Sequence, residues 1–260
     1  MSENLLSVAQ LICDSERILF ITGAGISADS GLPTYRGIGG LYHNQNTDED
    51  IPIETALSSS MFSSNPEIAW KYLWQIALAC SQATYNQAHE VIAAIEQYKP
   101  QTWVLTQNVD GLHRAAQTQN LIEIHGRIST LLCTECSYQT TLDKFMTQKP
   151  HQIGHLPKCP LCGGLIRPDV VLFGESLPSA AISELESVLE KGLDLVCVIG
   201  TSALFPYIFE PIAHARAIGI PTIEINPAET ILSPIVNYRI PLGAASAFNQ
   251  LERLLQYYLL

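Results

Sequence analysis

Four of the chain's 7 cysteines fall in two Cys-x-x-Cys pairs. Cys133 and Cys136 make the first and Cys159 and Cys162 the second, with 22 residues (137 to 158) between them. Each pair can present two thiolates from one knuckle, and two knuckles complete the tetrahedron that Zn2+ favours. The gap is slightly longer than that of the common zinc ribbon. Four protein ligands close such a site and leave no position for a catalytic water, so the expected zinc is structural and a zinc hydrolase is disfavoured. Two redox pairs, or unrelated thiols, are the competing reading. His151 and His155 lie in the same stretch and read as solvated bystanders.

A second group of residues follows an apolar run. Arg17-Ile-Leu-Phe-Ile-Thr22 leads into Gly23-Ala24-Gly25-Ile26-Ser27-Ala28, which fits the pattern G-x-G-x-x-G/A. In that pattern the first glycine permits a tight turn, the second lets backbone approach a diphosphate, and the small last residue lets helix and strand pack closely. A helix beginning there would offer free N–H groups to phosphate. The usual fingerprint also closes a second strand with an acidic residue about 20 residues on. Position 43 is a histidine, and Asp48-Glu49-Asp50 falls in polar sequence. A dinucleotide's ribose must therefore be held in another way. Thr106-Gln107-Asn108-Val109-Asp110-Gly111 follows another strand, where Gln, Asn and Asp can recognise an amide or simply hydrogen-bond a turn. His125, after Leu121-Ile-Glu-Ile124, is a candidate base, although a lone histidine is more often structural.

Positioning these groups requires strands that alternate with helices. The spacing predicts helices over 4–13, about 66–80, 84–98, 206–218 and 245–260. Buried strands are expected at 17–22, 102–106, 194–199 and 221–225. Residues 38–64 are polar and rich in Gly, Asn and Ser, which predicts a long loop. Residues 126–167 break the rhythm and hold all four paired cysteines, as an inserted module would. The fold class expected is α/β, a doubly wound parallel sheet of Rossmann type with a small four-cysteine zinc module.

Composition narrows the function. The 260 residues are 47% hydrophobic and 15% charged, enough to bury a large core and too apolar for disorder. The net charge of −11 suits a nucleic-acid backbone poorly and a basic protein segment better, although acidity also serves solubility alone. No apolar run reaches the ~20 residues of a membrane span, and the N-terminal stretch lacks the basic region of a secretory signal. With Cys13, Cys80 and Cys197 scattered in apolar stretches, this predicts a cytoplasmic, reducing location.

Taken together these motifs resemble the sirtuin family. Gly23 to Gly37 (GAGISADSGLPTYRG) looks like its phosphate and nicotinamide loop, and Thr106 to His113 (TQNVDGLH) like its nicotinamide-pocket motif. His125-Gly126 stands where the family keeps its general base, and the cysteine pairs match its zinc module. Arg167 to Glu175 (RPDVVLFGE) resembles the strand that pairs with substrate peptide. Gly200-Thr-Ser202 and Glu224-Ile-Asn226 resemble its ribose and adenine contacts. The motifs keep the family's order over about residues 17 to 245.

The resemblance implies NAD-dependent deacylation of protein lysine, with NAD consumed as co-substrate. His125, Asn108 and Asp110 would be catalytic. Gly23, Ala24, Gly25, Ile26, Ser27, Tyr35, Arg36, Gln107, Asn108, Val109, Asp110, Gly200, Thr201, Ser202, Asn226 and Ala244 would surround NAD. A peptide would add as a strand against Val171, Phe173 and Gly174. The division implied is a Rossmann domain of 1–37, 81–125 and 168–260, a loop and helical segment at 38–80, and the zinc module at 126–167. Ile38 to Tyr42 and the helix after Asn65-Pro66 look most like class III sirtuins, whose Tyr-x-x-Arg reads the carboxylate of succinyl or malonyl lysine. The aligned positions are Leu73 and Ile76, neither of which can bind a carboxylate. Weak desuccinylation and a preference for neutral acyl groups are expected. Three other readings stay open: a protein ADP-ribosyltransferase, a non-catalytic NAD-sensing module, and a Rossmann dehydrogenase, the last weakened by the missing acidic residue.

Overall fold

The computed structural model describes residues 3–34, 47–148 and 156–259. The chain opens with α1 (Glu3–Asp14) and β1 (Ile18–Thr22). Four helices follow, α2 (Ile53–Ala56), α3 (Ser59–Ser64), α4 (Pro66–Gln82) and α5 (Gln87–Tyr98). Next come β2 (Trp103–Thr106), α6 (Leu112–Ala115) and β3 (Leu121–Glu123). The cysteine region holds β4 (Gly126–Cys133), β5 (Gln139–Thr141), α7 (Leu142–Gln148) and β6 (Ile166–Val170). The remainder is α8 (Ser179–Glu190), β7 (Leu195–Ile199), α9 (Pro206–Ala217), β8 (Thr222–Ile225), β9 (Tyr238–Ile240) and α10 (Ala244–Leu259).

Six strands form one sheet in the order β3-β2-β1-β7-β8-β9, and every pairing in it is parallel. β1 and β7 are apolar throughout except Thr22 because both faces of each are covered, so neither face can be left polar. One face packs on α1, α5 and α10, the other on α8 and α9. Asn86 caps α5 by accepting from the Ala88 N–H with its side chain, and its own N–H donates to His89 Nδ1. Lys99 is buried and donates to the carbonyls of Cys13 and Ser15, closing the C-terminal end of α1 with a cation. The expected helices and strands are all present within a few residues of their predicted ends.

A second core belongs to a three-stranded antiparallel sheet, β5-β4-β6. Trp70, Leu73 and Ala77, along one face of α4, pack there with Ile128, Leu131, Phe145, Ile166 and Leu172. The Trp70 indole N–H donates to the Ile166 carbonyl at 2.8 Å, and Trp74 lies on the rim of this core. β6 thus pairs with β4 in the small sheet up to Val170, beyond residue 167.

Two local expectations are corrected. The stretch read as loop to residue 64 contains α2 and α3. Ser58 caps α3 by accepting from the Met61 N–H, and Ile53, Ala56, Leu57 and Phe62 are buried, so apolar residues hidden among serines drive helix formation. The glycine-rich turn does not open a long helix. It continues as two 3-10 turns, Ala24–Ile26 and Ala28–Ser30, ended by Gly31 in the left-handed region (φ 84). Residues 23–31 therefore offer a phosphate no α-helix N-terminus, contrary to the expectation from the glycine pattern. Ile38 to Tyr42, His43, His151 and His155 lie outside the described residues.

Candidate functional site

The order β2-β1-β7 places the reversal of strand order beside β1, where open α/β sheets form a crevice at strand C-termini. Gly23 donates to the Ile199 carbonyl at 3.0 Å and Gly25 to the Gly200 carbonyl at 2.8 Å. A Cβ on Gly25 would stand 2.6 Å from the Gly200 Cα, and one on Gly200 2.5 Å from the backbone of Gly25 and Ile26. Gly200 also has φ 59. The second glycine of the motif is therefore required by the opposing backbone of Gly200, whatever approaches from solvent.

The Thr106–Gly111 loop folds onto this turn. Asn108 is buried and its Nδ2 donates to the Gly23 carbonyl and to Ser27 Oγ, both at 3.1 Å. Ser27 Oγ in turn donates to Asp110 Oδ2 at 2.8 Å. The other Asp110 oxygen accepts the Leu112 N–H at 2.9 Å. Burial raises the Asp110 pKa, against these two hydrogen bonds, which lower it. Gln107 Nε2 donates to Thr201 Oγ1 at 2.9 Å and ties this loop to the end of β7. Asn226, after β8, donates from Nδ2 to the Thr201 carbonyl at 3.2 Å.

His125 follows β3. Its Nδ1 lies 2.8 Å from the Gln107 carbonyl, which only accepts, so Nδ1 carries the proton. Nε2 then accepts from the Tyr207 hydroxyl at 2.7 Å. Burial lowers the His125 pKa below its usual value, opposed by the Gln107 bond, and favours neutral imidazole.

A cleft runs from this centre toward the small core. Ala24, Ser27, Leu32, Pro33, Ile76, Ala79, Cys80, Asn108, Val109 and Asp110 line it. Ile76 is on the wall; Leu73 is not, being 2% exposed and packed in the small core. The neighbouring Tyr72 hydroxyl accepts from the Asp48 N–H and donates to Glu49, so it also faces away from the cleft. Asp48 and Glu49 pair with Lys71 and take no part near the glycine turn. Ala244 is buried 3% exposed in the large core at the start of α10, so its side chain faces the core. Tyr35 and Arg36 lie outside the described residues.

Val171 N–H donates to the His125 carbonyl at 2.9 Å, holding the segment after β6 beside this histidine. Phe173 is already bridged to Ser58: its N–H goes to the Leu57 carbonyl and its carbonyl accepts from Ser59. An added peptide strand must pair through other backbone groups than these. Gly174, next in the chain, has φ 86, with the Ser59 hydroxyl 3.2 Å from where its Cβ would be.

The four paired cysteines converge, their Sγ atoms all within 4.8 Å of one another. Cys133 and Cys162 are 3.4 Å apart, Cys136 and Cys159 3.6 Å. A tetrahedron of Zn–S bonds near 2.3 Å has S–S edges of about 3.8 Å, so the cluster fits zinc and is far too open for disulfides. The N–H groups of Glu135, Leu161 and Gly164 each lie 3.4 Å from a cysteine sulfur, as donors to thiolates would. A closed set of four fits a structural ion.

Residues 23–205 match the model of the Sir2 family. The chain belongs to the Sir2 family. It is 48% identical over 239 residues to NAD-dependent protein deacylase 2 of Pseudomonas aeruginosa, with 91% of each chain covered. It is 38% identical over 236 residues to an NAD-dependent protein deacylase of Pyrococcus abyssi, covering 90% of this chain and 91% of that one. Among solved structures, a Sir2 complex of a deacetylated p53 peptide and 3'-O-acetyl ADP ribose superposes with a TM-score of 0.85 at 26% identity over 95% and 96% of the two chains. The resemblance to sirtuins and the α/β fold are thereby established for this Sir2 protein.

Sequence reasoning missed Tyr207 and Phe205, whose rings flank His125. Their position just past β7, at a strand C-terminus, was the available signal. It also missed Cys80, which reads as one more buried thiol but stands on the cleft wall.

Proposed function

We propose that this Sir2 protein is an NAD-dependent protein-lysine deacylase that prefers acetyl and other neutral acyl groups, with His125 as general base. The observation that carries the reading is His125, held by Nδ1 on the Gln107 carbonyl with Nε2 as acceptor, at the crevice where the Gly23–Ser27 turn, the Asn108–Asp110 loop and Gly200–Ser202 meet. In this reading the turn and Gly200 to Ser202 surround the diphosphate and ribose of NAD, Asn226 faces the adenosine end, and Asn108 and Asp110 hold the nicotinamide. The acyl oxygen of a modified lysine attacks the ribose carbon and nicotinamide leaves. His125 then takes the proton of a ribose hydroxyl, whose oxygen attacks the acyl carbon; the C–N bond breaks as the lysine amine leaves with a proton returned by the imidazolium, and water adds to the acyl carbon, giving free lysine and O-acyl-ADP-ribose. The four cysteines hold zinc that braces the small domain.

The acyl preference rests on the cleft wall. Among the described residues that line it none carries a positive charge, and Ile76 and Val109 share the wall with Asp110. A succinyl carboxylate would lose water there without gaining a cation, which is costly. The relatives' names support deacylation as the reaction class. The test is product analysis with NAD and acetyl-, butyryl-, myristoyl- and succinyl-lysine peptides, using wild type and His125→Ala. Release of free lysine and nicotinamide, lost in the variant, is expected, with succinyl turnover at least roughly tenfold below acetyl. Equal succinyl and acetyl rates overturn the preference. Label passing from NAD to protein without lysine release would point to ADP-ribosyl transfer instead.

A further inference from the structure

The lone pair that a general base needs is already engaged. His125 spends its Nδ1–H on the Gln107 carbonyl, and the single remaining lone pair, at Nε2, accepts the Tyr207 hydroxyl at 2.7 Å. A ribose hydroxyl cannot bond the same lone pair while Tyr207 is there. Either Tyr207 swings away, or it stays and passes the proton on. The ring packing favours staying. Tyr207 lies in the first turn of α9 and stacks on Phe205 with centroids 5.4 Å apart and planes 12° from parallel. Both rings stand edge-on to the imidazole, at 87° and 82°. Swinging the phenol out would break the stack, the edge contact and a short hydrogen bond together, whereas its oxygen keeps lone pairs that can accept from a second hydroxyl.

We propose that Tyr207 is a further catalytic residue, standing between the ribose hydroxyl and His125 and relaying the proton between them. The ribose O–H bond breaks and its proton forms a new O–H bond to the Tyr207 oxygen. The phenolic proton of Tyr207 moves to His125 Nε2 in the same event. The ribose oxygen keeps the electron pair of its broken O–H bond and uses it to bond the acyl carbon. Tyr207 is a neutral phenol before and after, and the positive charge of the activated acyl group is exchanged for that of the imidazolium. Burial pushes the Tyr207 pKa up to about 12, which disfavours a free phenolate and couples the two transfers. The relay rests on the reading of His125 as base.

The experiment compares wild type, Tyr207→Phe and His125→Ala in single-turnover acyl transfer, with NAD binding and nicotinamide release measured alongside. Tyr207→Phe keeps the ring and removes only the hydroxyl. Its acyl transfer is expected to fall about 10- to 100-fold while NAD binding and nicotinamide release stay within about twofold. In mixtures of H2O and D2O the wild-type rate is expected to bow below a straight line, because two protons move, and the Tyr207→Phe rate to be linear. Unchanged or faster transfer in Tyr207→Phe, or a linear wild-type plot, overturns the relay. Should Tyr207→Phe fail to fold, the wild-type plot decides alone. Full transfer in His125→Ala removes the base itself, whereas loss in His125→Ala with full transfer in Tyr207→Phe removes only the relay.

Discussion

At the scale of single residues, the site is a set of short, mutually satisfied hydrogen bonds. Ser27 accepts from Asn108 and donates to Asp110, so one hydroxyl sets the relative position of the two candidate nicotinamide-binding side chains. His125 is held from both nitrogens. Its lowered pKa has a direct kinetic sign. The base we propose works neutral, and a depressed pKa keeps it neutral to lower pH, so the acid limb of kcat/KM should have its midpoint below the 6.5 of a free imidazole. A limb at or above that value would mean that the free enzyme does not bury the ring as described. Cys80, on the cleft wall, has its pKa pushed up to about 12 by burial and is a protonated thiol at ordinary pH, so it belongs to the wall and not to the chemistry.

At the scale of elements, the parts that read clearly from sequence were those whose burial is uniform. The all-buried strands β1 and β7 announce themselves as apolar runs ending in glycine, and α4 and α5 by their spacing. What could not be read depends on partners distant in the chain. The 3-10 turns after β1 are fixed by backbone bonds to Ile199 and Gly200, and nothing within residues 23–31 encodes those partners. Tyr207 meets His125 across 82 residues. Leu73 and Ile76 look equivalent in an alignment, yet the packing of α4 sends one into the core and the other to the cleft. The contact of Gly25 with Gly200 gives an element-scale prediction. Gly200→Ala places a methyl where two backbones already meet and puts alanine at a positive φ. It should destabilise the fold by about 2–4 kcal/mol, read by urea denaturation, and weaken NAD binding. A variant that denatures with wild type would mean that the turn relaxes freely.

At the scale of the molecule, two cores respond to different agents. The buried pair His89 and His113 sits in the large core, ring centroids 4.8 Å apart, with His113 Nε2 on Thr22 and both rings 0–2% exposed. Burial lowers the His89 pKa to about 4 and that of His113 well below its usual value. The unfolded chain takes up these protons near pH 6.5 and the folded chain resists until far lower. Stability is therefore full above pH 6.5 and is lost as pH falls from there toward 4, checked as a drop in the urea midpoint at constant salt. A midpoint flat across that window would contradict the burial of the pair. The small core answers instead to metal. Stripping zinc with a chelator, or Cys159→Ser, should loosen the three-stranded sheet, seen as faster hydrogen exchange in β4 and β6, with the six-stranded sheet still protected. Of location, the fold says only that no helix among the described residues is long and apolar enough to cross a membrane.

The placement of the chain's 3 tryptophans follows the same division. Trp70 and Trp74 sit with the small core, and Trp103 packs against the large one. Each half of the molecule therefore carries its own fluorophore. In Trp103→Phe the emission spectrum reports only the half that the cysteines brace, and in the double variant Trp70→Phe/Trp74→Phe only the half built on the six-stranded sheet, so the two meltings can be followed optically in one cuvette without any added label.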